Sequence, residues 1–506
     1  MVRYKPMVPD MNTQMPADPS ADPDEIERLE AESVNAAWKR KPLYEARKKI
    51  FPKRAEGTYR RFKWLIMLVT LGIYYITPWL RWDRGPFAPD QAVLLDVANR
   101  RFYFFFIEIW PQEFFFVAGL LVMAGFGLFL ITSAVGRAWC GYTCPQTVWV
   151  DLFLVVERAI EGDRNQRMKL ENAPWSASKL GKRVIKHAIW IFIGVATGGA
   201  WIFYFADAPT LLMNFLTGNA APVAYITVAI LTATTYTFGG LMREQVCTYM
   251  CPWPRIQAAM QDEDSLIVSY KDDRGEPRMP FRKGQDWSKR ADCIDCRQCV
   301  AVCPMGIDIR DGQQLECIAC ALCIDACDDV MVKIGRPKGL IAYDTLINHD
   351  RRKRGEPTYV RWLRPRTVLY AALIVLVGLV MLVTLTNRPT LDVNVQHDRN
   401  PLFVRLADGS IRNGYTVKIL NKEHVDARFG IAFEGLPPHT VSIVGQEAGA
   451  ADGVDVGSDR LAAFRVFVAV PADALASDLT DVTVVVTEEE GDRVARSSSI
   501  FRGPEK

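Results

Sequence analysis

The sequence predicts a multi-domain membrane protein with an α-helical transmembrane bundle of about five spans, a cysteine-rich insert and a C-terminal all-β, immunoglobulin-like sandwich. Three features of its 506 residues support this fold class. Apolar stretches alternate with charged segments, all 12 cysteines lie before residue 330, and the segment after 386 consists of short alternating runs such as FRVFVAV and DVTVVV. A bilayer core requires about 20 apolar residues per helix, which each stretch approaches.

The apolar stretches define the spans and their orientation. We place them at Trp64–Leu80, Phe114–Val135, Val184–Phe205, Val223–Met242 and Val368–Leu385. Lys and Arg number eight in residues 137–183, none in 206–222 and 21 in 243–366. Because basic segments stay on the cytoplasmic side, we expect the N-terminus and the cysteine-rich insert to face the cytoplasm of a bacterial inner membrane. The C-terminal domain then faces the periplasm.

These boundaries divide the chain into five predicted segments. They are a mobile cytoplasmic N-terminal tail at 1–60, the transmembrane bundle at 61–255, the cytoplasmic cysteine-rich domain at 256–366, the fifth transmembrane helix at 367–386 and the periplasmic sandwich at 387–506. The first 35 or so residues are rich in Pro, Asp and Glu, a composition typical of mobile chain. Short helical patterns follow both the second and the fourth span, which indicates an internal duplication.

Eight cysteines form two matching runs inside the insert. The runs are Cys293-x2-Cys296-x2-Cys299-x3-Cys303 and Cys317-x2-Cys320-x2-Cys323-x3-Cys327. In bacterial-type two-cluster ferredoxins, this spacing gives three thiolates to one 4Fe-4S cluster and the fourth to its neighbour. We therefore assign Cys293, Cys296, Cys299 and Cys327 to cluster I and Cys317, Cys320, Cys323 and Cys303 to cluster II. A pair of zinc ribbons is the alternative, although zinc sites seldom use two matching four-cysteine runs.

The four remaining cysteines form a second duplicated motif at the ends of spans two and four. Cys140-x3-Cys144-Pro145 and Cys247-x3-Cys251-Pro252 should face each other. They are candidates for Cu(I) or zinc ligands, a redox dithiol or four ligands of a third cluster, with structural burial as the alternative. Each pair lies either on one face of a helix or on a turn before the proline.

Other candidate residues carry weaker signals. Met242, Met250 and Met260 would suit copper but are more typical of apolar packing. Glu108 and Glu113 are candidates for proton or cation handling only if they lie within the membrane. His397, His424 and His439 lack a second ligand at short spacing, and a haem has no pair of axial histidines at membrane depth. No Gly-rich phosphate loop follows a strand, and no nucleic-acid partner is expected.

The combination resembles the FixG/RdxA/CcoG family of cytochrome c oxidase accessory proteins, which are membrane-bound polyferredoxins. The most specific residues are RAWCGYTCPQ, QVCTYMCPWPR, CIDCRQCVAVCPMGIDIR and LECIACALCIDACDDVM. The resemblance covers nearly the whole chain. It implies an oxidoreductase that reduces Cu(II) to Cu(I) for assembly of a cbb-type oxidase, with oxidase assembly factors and copper transporters or chaperones as partners.

On this hypothesis the eight run cysteines store and transfer electrons, and Cys140, Cys144, Cys247 and Cys251 bind or reduce copper. Two alternatives stay open. One is a quinol-linked electron conduit, and the other is a non-enzymatic assembly scaffold or copper chaperone. The sequence identifies neither the electron donor nor the copper acceptor, nor whether the two Cys-x3-Cys-Pro motifs meet within one chain or across a homodimer.

Overall fold

The computed structural model describes residues 28–34, 48–86, 88–281, 287, 290–445, 453–475 and 477–504. The chain forms two compact units. The first contains the described residues up to Trp82 together with Gln91–Leu379, and the second contains Asp83–Asp90 together with the described residues from Val380 onward. The cysteines all belong to the first unit.

The first unit is mainly helical. Its helices are α1 (Thr58–Ile76), α2 (Phe115–Val135), α3 (Pro145–Glu161), α4 (Arg164–Asn172), α5 (Ala177–Ile202), α6 (Ala208–Leu216), α7 (Pro222–Thr235), α8 (Trp253–Met260), α9 (Asp272–Gly275), α10 (Gln298–Ala301), α11 (Leu322–Lys333), α12 (Leu346–Lys353) and α13 (Pro365–Thr386). Both short helices predicted after the second and fourth spans are present, as α3 and α8.

Five helical segments are long and apolar enough to cross a membrane, as predicted. They are Thr58–Trp79, Pro111–Val135, Ala177–Ile202, Pro222–Met242 and Pro365–Thr386. The first and third begin several residues before the predicted apolar stretches, because their first turns carry Lys and Arg. Arg60 and Lys63 in α1 and Lys186 in α5 are nevertheless buried, since they face acidic partners inside the protein.

A small core surrounds the cysteine runs. Strands β4 (Ile267–Tyr270) and β5 (Ile341–Asp344) pair antiparallel. In the sequence, β4 precedes the cysteine runs and β5 follows them. Leu29, only 5% exposed, packs into the same core, and its N–H donates to the Cys296 carbonyl at 3.1 Å. The prediction of a mobile tail is therefore wrong for residues 28–34, because an apolar side chain there is buried against the insert. It is also wrong for 48–60, where Ala55 is buried and the Lys53 N–H donates to the Ala301 carbonyl at 2.8 Å. The tail predictions at 1–27 and 35–47 lie outside the described residues.

A three-stranded sheet that the sequence analysis did not predict follows the first span. It consists of β1 (Val93–Asp96), β2 (Arg101–Phe104) and β3 (Ile107–Ile109) in that order. Glu108 pairs with Arg101 at 3.1 Å across neighbouring strands, and Glu113 accepts from the Trp110 N–H at 3.2 Å. Both carboxylates thus have structural partners, which accounts for their burial without a proton-handling role.

The second unit is an all-β sandwich, as predicted. Its strands are β6 (Leu391–His397), β7 (Val404–Arg405), β8 (Ile411–Asn421), β9 (Ala427–Glu434), β10 (Thr440–Ile443), β11 (Val454–Val456), β12 (Arg460–Val470), β13 (Leu479–Glu488) and β14 (Val494–Arg502). One sheet has the order β10-β12-β8-β6 with β7 beside β8, and the other has the order β11-β9-β13-β14. Alternate side chains of both sheets, such as Val417 and Phe429, form the core.

Candidate iron–sulfur and thiol centres

Four cysteines surround one small cavity of about 20 Å³ in the insert. Its lining includes Cys293, Cys296, Cys299 and Cys327. The first three come from one loop and the start of α10, whereas the fourth lies on α11. These are the four side chains that the sequence analysis assigned to cluster I.

The other run cysteines line a second cavity of similar size, about 20 Å³. Its lining includes Cys303, Cys317, Cys320 and Cys323, together with Cys299 from the first group. The structure therefore brings the eight thiols together in two crossed groups of four. The cavity walls are otherwise apolar, and the Ala319 N–H points at the Cys317 Sγ at 3.4 Å. This donor set fits a thiolate-bound cubane cluster in each cavity.

The two cysteine loops have matching backbone conformations. Asp295 and Arg297 flank Cys296 with φ of 51° and 56°, and Ala319 and Ala321 flank Cys320 with φ of 53° and 60°. The left-handed backbone conformation of the residues on both sides of Cys296 and of Cys320 turns the chain tightly, so that neighbouring sulfurs point to the same side. A helix begins directly afterwards in each loop and carries the third cysteine in its first turn.

Burial strongly disfavours bare thiolates in these cavities. It raises the pKa of Cys317 to about 11 and that of Cys303 to about 12. A cationic side chain lies beside the first cavity: Arg310 lines it and binds Asp308 at 2.6 Å and Asp295 at 2.7 Å. Iron ions would stabilise the thiolates in the holo protein, and Arg310 would add positive charge next to cluster I.

The two Cys-x3-Cys-Pro motifs have nearly the same local structure. Cys140 and Cys247 lie within single π-helical turns, Trp139–Thr143 and Val246–Met250, and the second cysteine of each motif ends the turn with an extended backbone. From spacing alone, both cysteines of a motif could lie on one face of an α-helix. The structure has a wider turn instead, because Pro145 and Pro252 favour an extended residue before them. Single π turns are frequent at functional sites.

Direct contacts bring the motifs together within one chain. The Cys140 thiol donates to Gln257 Oε1 at 3.0 Å, and Gln257 lies on α8 after the second motif. A second contact joins the residue after the first motif to a residue before the second motif: Gln146 of α3 donates to the Arg243 carbonyl at 3.2 Å. Burial raises the pKa of Cys140 to about 12, and the nearby thiols Cys144, Cys247 and Cys251 contribute to the increase.

The spacing of the sulfurs limits which metal they can hold. Within the described part of the chain, no three of the cysteine sulfurs lie within 4.8 Å of one another. Tetrahedral zinc with Zn–S distances of about 2.3 Å would bring four sulfurs to roughly 3.8 Å apart. As arranged, the four thiols do not form a tetrathiolate site for one ion.

The first motif also contacts the cluster II loop. Gly141 lies so close to that loop that a Cβ atom there would be 2.7 Å from the Ile318 carbonyl oxygen. Arg137 donates to the Cys317 carbonyl at 3.0 Å, and the Tyr142 hydroxyl donates to the Cys320 carbonyl at 3.3 Å. Sequence analysis did not identify this junction, although a glycine inside the motif is the signal that marks a close backbone approach.

The remaining candidates have ordinary surroundings. Met260 is buried in packing and Met250 is 52% exposed. His397 contacts Asn413 at 2.6 Å, His424 contacts Asp459 at 2.6 Å and His439 contacts the Pro437 carbonyl at 2.9 Å. Asp272, Asp273 and His349 converge, but Lys353 and Arg352 already neutralise the two carboxylates.

Comparison with known proteins agrees with this architecture. A model of a 4Fe-4S dicluster domain matches residues 242–346, a model of a 4Fe-4S binding domain matches 115–161, and a model of the IG-like fold at the C-terminal end of FixG matches 381–504. A crystal structure of a FixG-related protein from Vibrio parahaemolyticus is 22% identical, covers 22% of this chain and 95% of its own, and has a TM-score of 0.19.

Two curated relatives align along most of their length. Nitrogen fixation protein FixG from Rhizobium meliloti is 61% identical over 476 residues, which are 88% of this chain and 91% of that protein. Protein RdxA from Cereibacter sphaeroides is 52% identical over 470 residues, which are 91% of this chain and 99% of that protein. With its spans, its iron–sulfur domains and its C-terminal sandwich, the chain belongs to the FixG/RdxA family.

Proposed function

We propose that this protein reduces Cu(II) to Cu(I) with electrons from its iron–sulfur clusters and thereby supplies copper for assembly of a cbb-type cytochrome c oxidase. The family and the cysteine cavities indicate a membrane-bound iron–sulfur electron-transfer protein. The copper step is supported by one observation above all: Cys140 lies near Cys144, Cys247 and Cys251, and its motif contacts the cluster II loop through Gly141.

In this proposal, the clusters store electrons and a separate set of cysteines binds copper. When bound, each 4Fe-4S cluster supplies one electron at a potential set by its surroundings. Cys140, Cys144, Cys247 and Cys251 would hold the copper ion, and their sulfur favours the reduced product because Cu(I) is a soft cation. Gly141 and Arg137 would hold this site against the cluster II loop, so that the electron path passes through packed protein.

The distribution of basic residues supports the proposed orientation. Residues 243–366, with 21 Lys and Arg, would lie in the cytoplasm, and the C-terminal sandwich would lie in the periplasm. Copper reduction would then take place at the cytoplasmic face of the inner membrane. On the periplasmic side, the sandwich would be available to oxidase assembly factors or copper chaperones.

An anaerobic titration tests the copper step. Full-length protein is reduced with dithionite, freed from excess reductant and mixed with Cu(II), while cluster absorbance and a Cu(I)-specific chelator are followed. We expect one Cu(I) for each cluster that is reoxidised. Replacing both Cys140 and Cys247 with Ser should abolish Cu(I) formation, whereas Tyr249→Phe, a change at an exposed neighbour in the second motif, should not. Clusters that stay reduced after copper addition would contradict the proposal.

The quinol-linked conduit remains the second candidate, because a large cavity borders the inner ends of two spans close to the second thiol motif. The two functions are compatible in one protein if that cavity receives the electrons that copper later consumes. In a scaffold, by contrast, the clusters would not need to change oxidation state.

A further inference from the structure

A cavity of about 590 Å³ lies at the ends of the third and fourth spans. Its lining combines the first half of α5, through Lys186, His187 and Trp190, with the last residues of the fourth span, Gly240 and Leu241. The exposed side chains of Trp175 and Leu241 form part of its edge. The cavity is thus reached from the boundary between membrane and water, where aromatic side chains commonly lie.

Neutral polar and aromatic groups form one wall. His187 Nδ1 contacts the Tyr236 hydroxyl at 3.0 Å, which leaves Nε2 as the ring nitrogen for a ligand. Trp190 is 2% exposed, stacks on Phe153 at 5.2 Å between ring centroids and has a buried indole N–H without a partner among the described residues. A ligand with polar oxygens would find hydrogen-bonding groups here.

Charged side chains surround the cavity, and cations outnumber carboxylates. Its lining contains Lys49, Lys179, Arg183, Lys186 and Arg243 together with Glu157 and Glu171. Lys186 binds Glu161 at 2.9 Å, Arg243 binds Glu157, and Lys49 binds Glu171 at 3.0 Å. Because the surrounding charge is net positive, it favours the loss of a proton from a bound hydroxyl group.

The cavity is also close to the electron-transfer centres. Arg243 lines it and also lines a second, small cavity of about 30 Å³, whose walls include Cys247, Pro304 and Ile318. One side chain therefore separates the membrane-edge cavity from the space between the second thiol motif and the cluster II region.

We propose that this cavity binds a membrane quinol and that the quinol is the electron donor of the protein. This inference rests on the proposed function, for which it names the source of electrons. Oxidation of one quinol yields one quinone, two protons and two electrons. The electrons reduce two clusters by one unit each, and the protons pass by way of the His187 imidazole to water at the open edge of the cavity. Isoprenoid quinols suit the position because their tails remain in lipid while the ring reaches the boundary.

The test uses oxidised full-length protein under anaerobic conditions, with duroquinol and menadiol as separate probes. Cluster bleaching and quinone formation are followed together. We expect two reduced clusters per quinone formed in the wild type. His187→Ala should slow this reaction at least tenfold, while Tyr225→Phe, which removes a tyrosine hydroxyl near the other end of the fourth span, should leave it unchanged.

Dithionite provides the internal control for folding. Both variants should keep wild-type iron content and should be fully reduced by dithionite. A wild type that dithionite reduces but neither quinol reduces would overturn the proposal, and so would a His187→Ala variant that reacts with quinol at the wild-type rate. In the second case, loss of phosphatidylglycerol binding by the variant would assign the cavity to an anionic lipid. Copper reduction by dithionite-reduced protein tests the proposed function separately from the donor.

Discussion

At the scale of single residues, Gly141 controls how closely the first thiol motif approaches the cluster II loop. A side chain there would meet the Ile318 and Ala319 carbonyl oxygens, at 2.7 Å and 3.0 Å from its Cβ. The positions of both backbones therefore depend on the absence of one methyl group. Such contacts between buried segments resist displacement, because protein interiors are densely packed.

We predict that Gly141→Ala separates the thiols from cluster II. The added methyl should cost about 1–3 kcal/mol of stability through overpacking. Copper-dependent cluster reoxidation should slow, while the iron content should stay at the wild-type level. Gly127→Ala is the matched control, because a Cβ there would meet nothing within 4 Å. Equal reoxidation rates in the two variants would contradict this role of Gly141.

Arg310 determines part of the charge around cluster I. It is only 6% exposed and lines the cavity that contains the cluster I cysteines. We predict that Arg310→Gln lowers the potential of cluster I, because a nearby positive charge favours the reduced cluster. One unit charge at about 8 Å and an effective dielectric constant of about 20 contributes roughly 2 kcal/mol.

Potentiometric titration with electron paramagnetic resonance detection measures this effect. The signal of cluster II serves as the reference within the same sample. A cluster I potential that is unchanged or higher in the variant would contradict this role of Arg310.

At the scale of elements, the crossing between α10 and α11 connects the two clusters. Cys303 follows α10 yet lines the second cavity, whereas Cys327 lies on α11 yet lines the first. We predict that Cys327→Ser alters the spectrum of cluster I and Cys303→Ser that of cluster II. Spectra of each variant compared with the wild type decide this. The reverse pattern would show that each run binds its own fourth cysteine.

Iron content distinguishes two possible roles of the cysteines in the two π-helical turns, copper binding and ligation of a third cluster. Two 4Fe-4S clusters correspond to about eight irons per chain. If the four motif thiols bind copper, replacing Cys140 and Cys247 with Ser should leave iron unchanged and abolish tight Cu(I) binding. A wild-type value near 12, falling to about eight in the double variant, would instead assign a third cluster to these turns.

At the scale of the whole molecule, orientation in the membrane is the proposal with the widest consequences. In membrane vesicles with the periplasmic face outward, external protease should remove the sandwich at 387–506 but leave the cluster absorbance intact. The expectation follows from the basic residues in the segments between spans. Loss of the clusters with retention of the sandwich would reverse the orientation. Vesicles of opposite orientation provide the control.

Much of this architecture follows from local pattern. Cysteine spacing indicated the two four-thiol groups, since a ligand run binds a cluster through residues close in sequence. Apolar length indicated five spans, and alternation indicated the sandwich. Local pattern did not reveal the packing of Leu29 on the insert or the sheet formed by 93–109. Both segments have weak hydrophobic patterns, and their structure depends on contacts with neighbouring segments.

The sequence by itself determined the kinds of chemistry available to this protein: thiols for iron and copper, and helices for the membrane. Only the tertiary structure decided how these parts meet. Gly141 touches a loop about 180 residues later in the chain, and Arg243 lies between a membrane-edge cavity and the thiols. Such contacts arise from the packing of distant segments, so spacing and periodicity, which record only near neighbours along the chain, do not contain them.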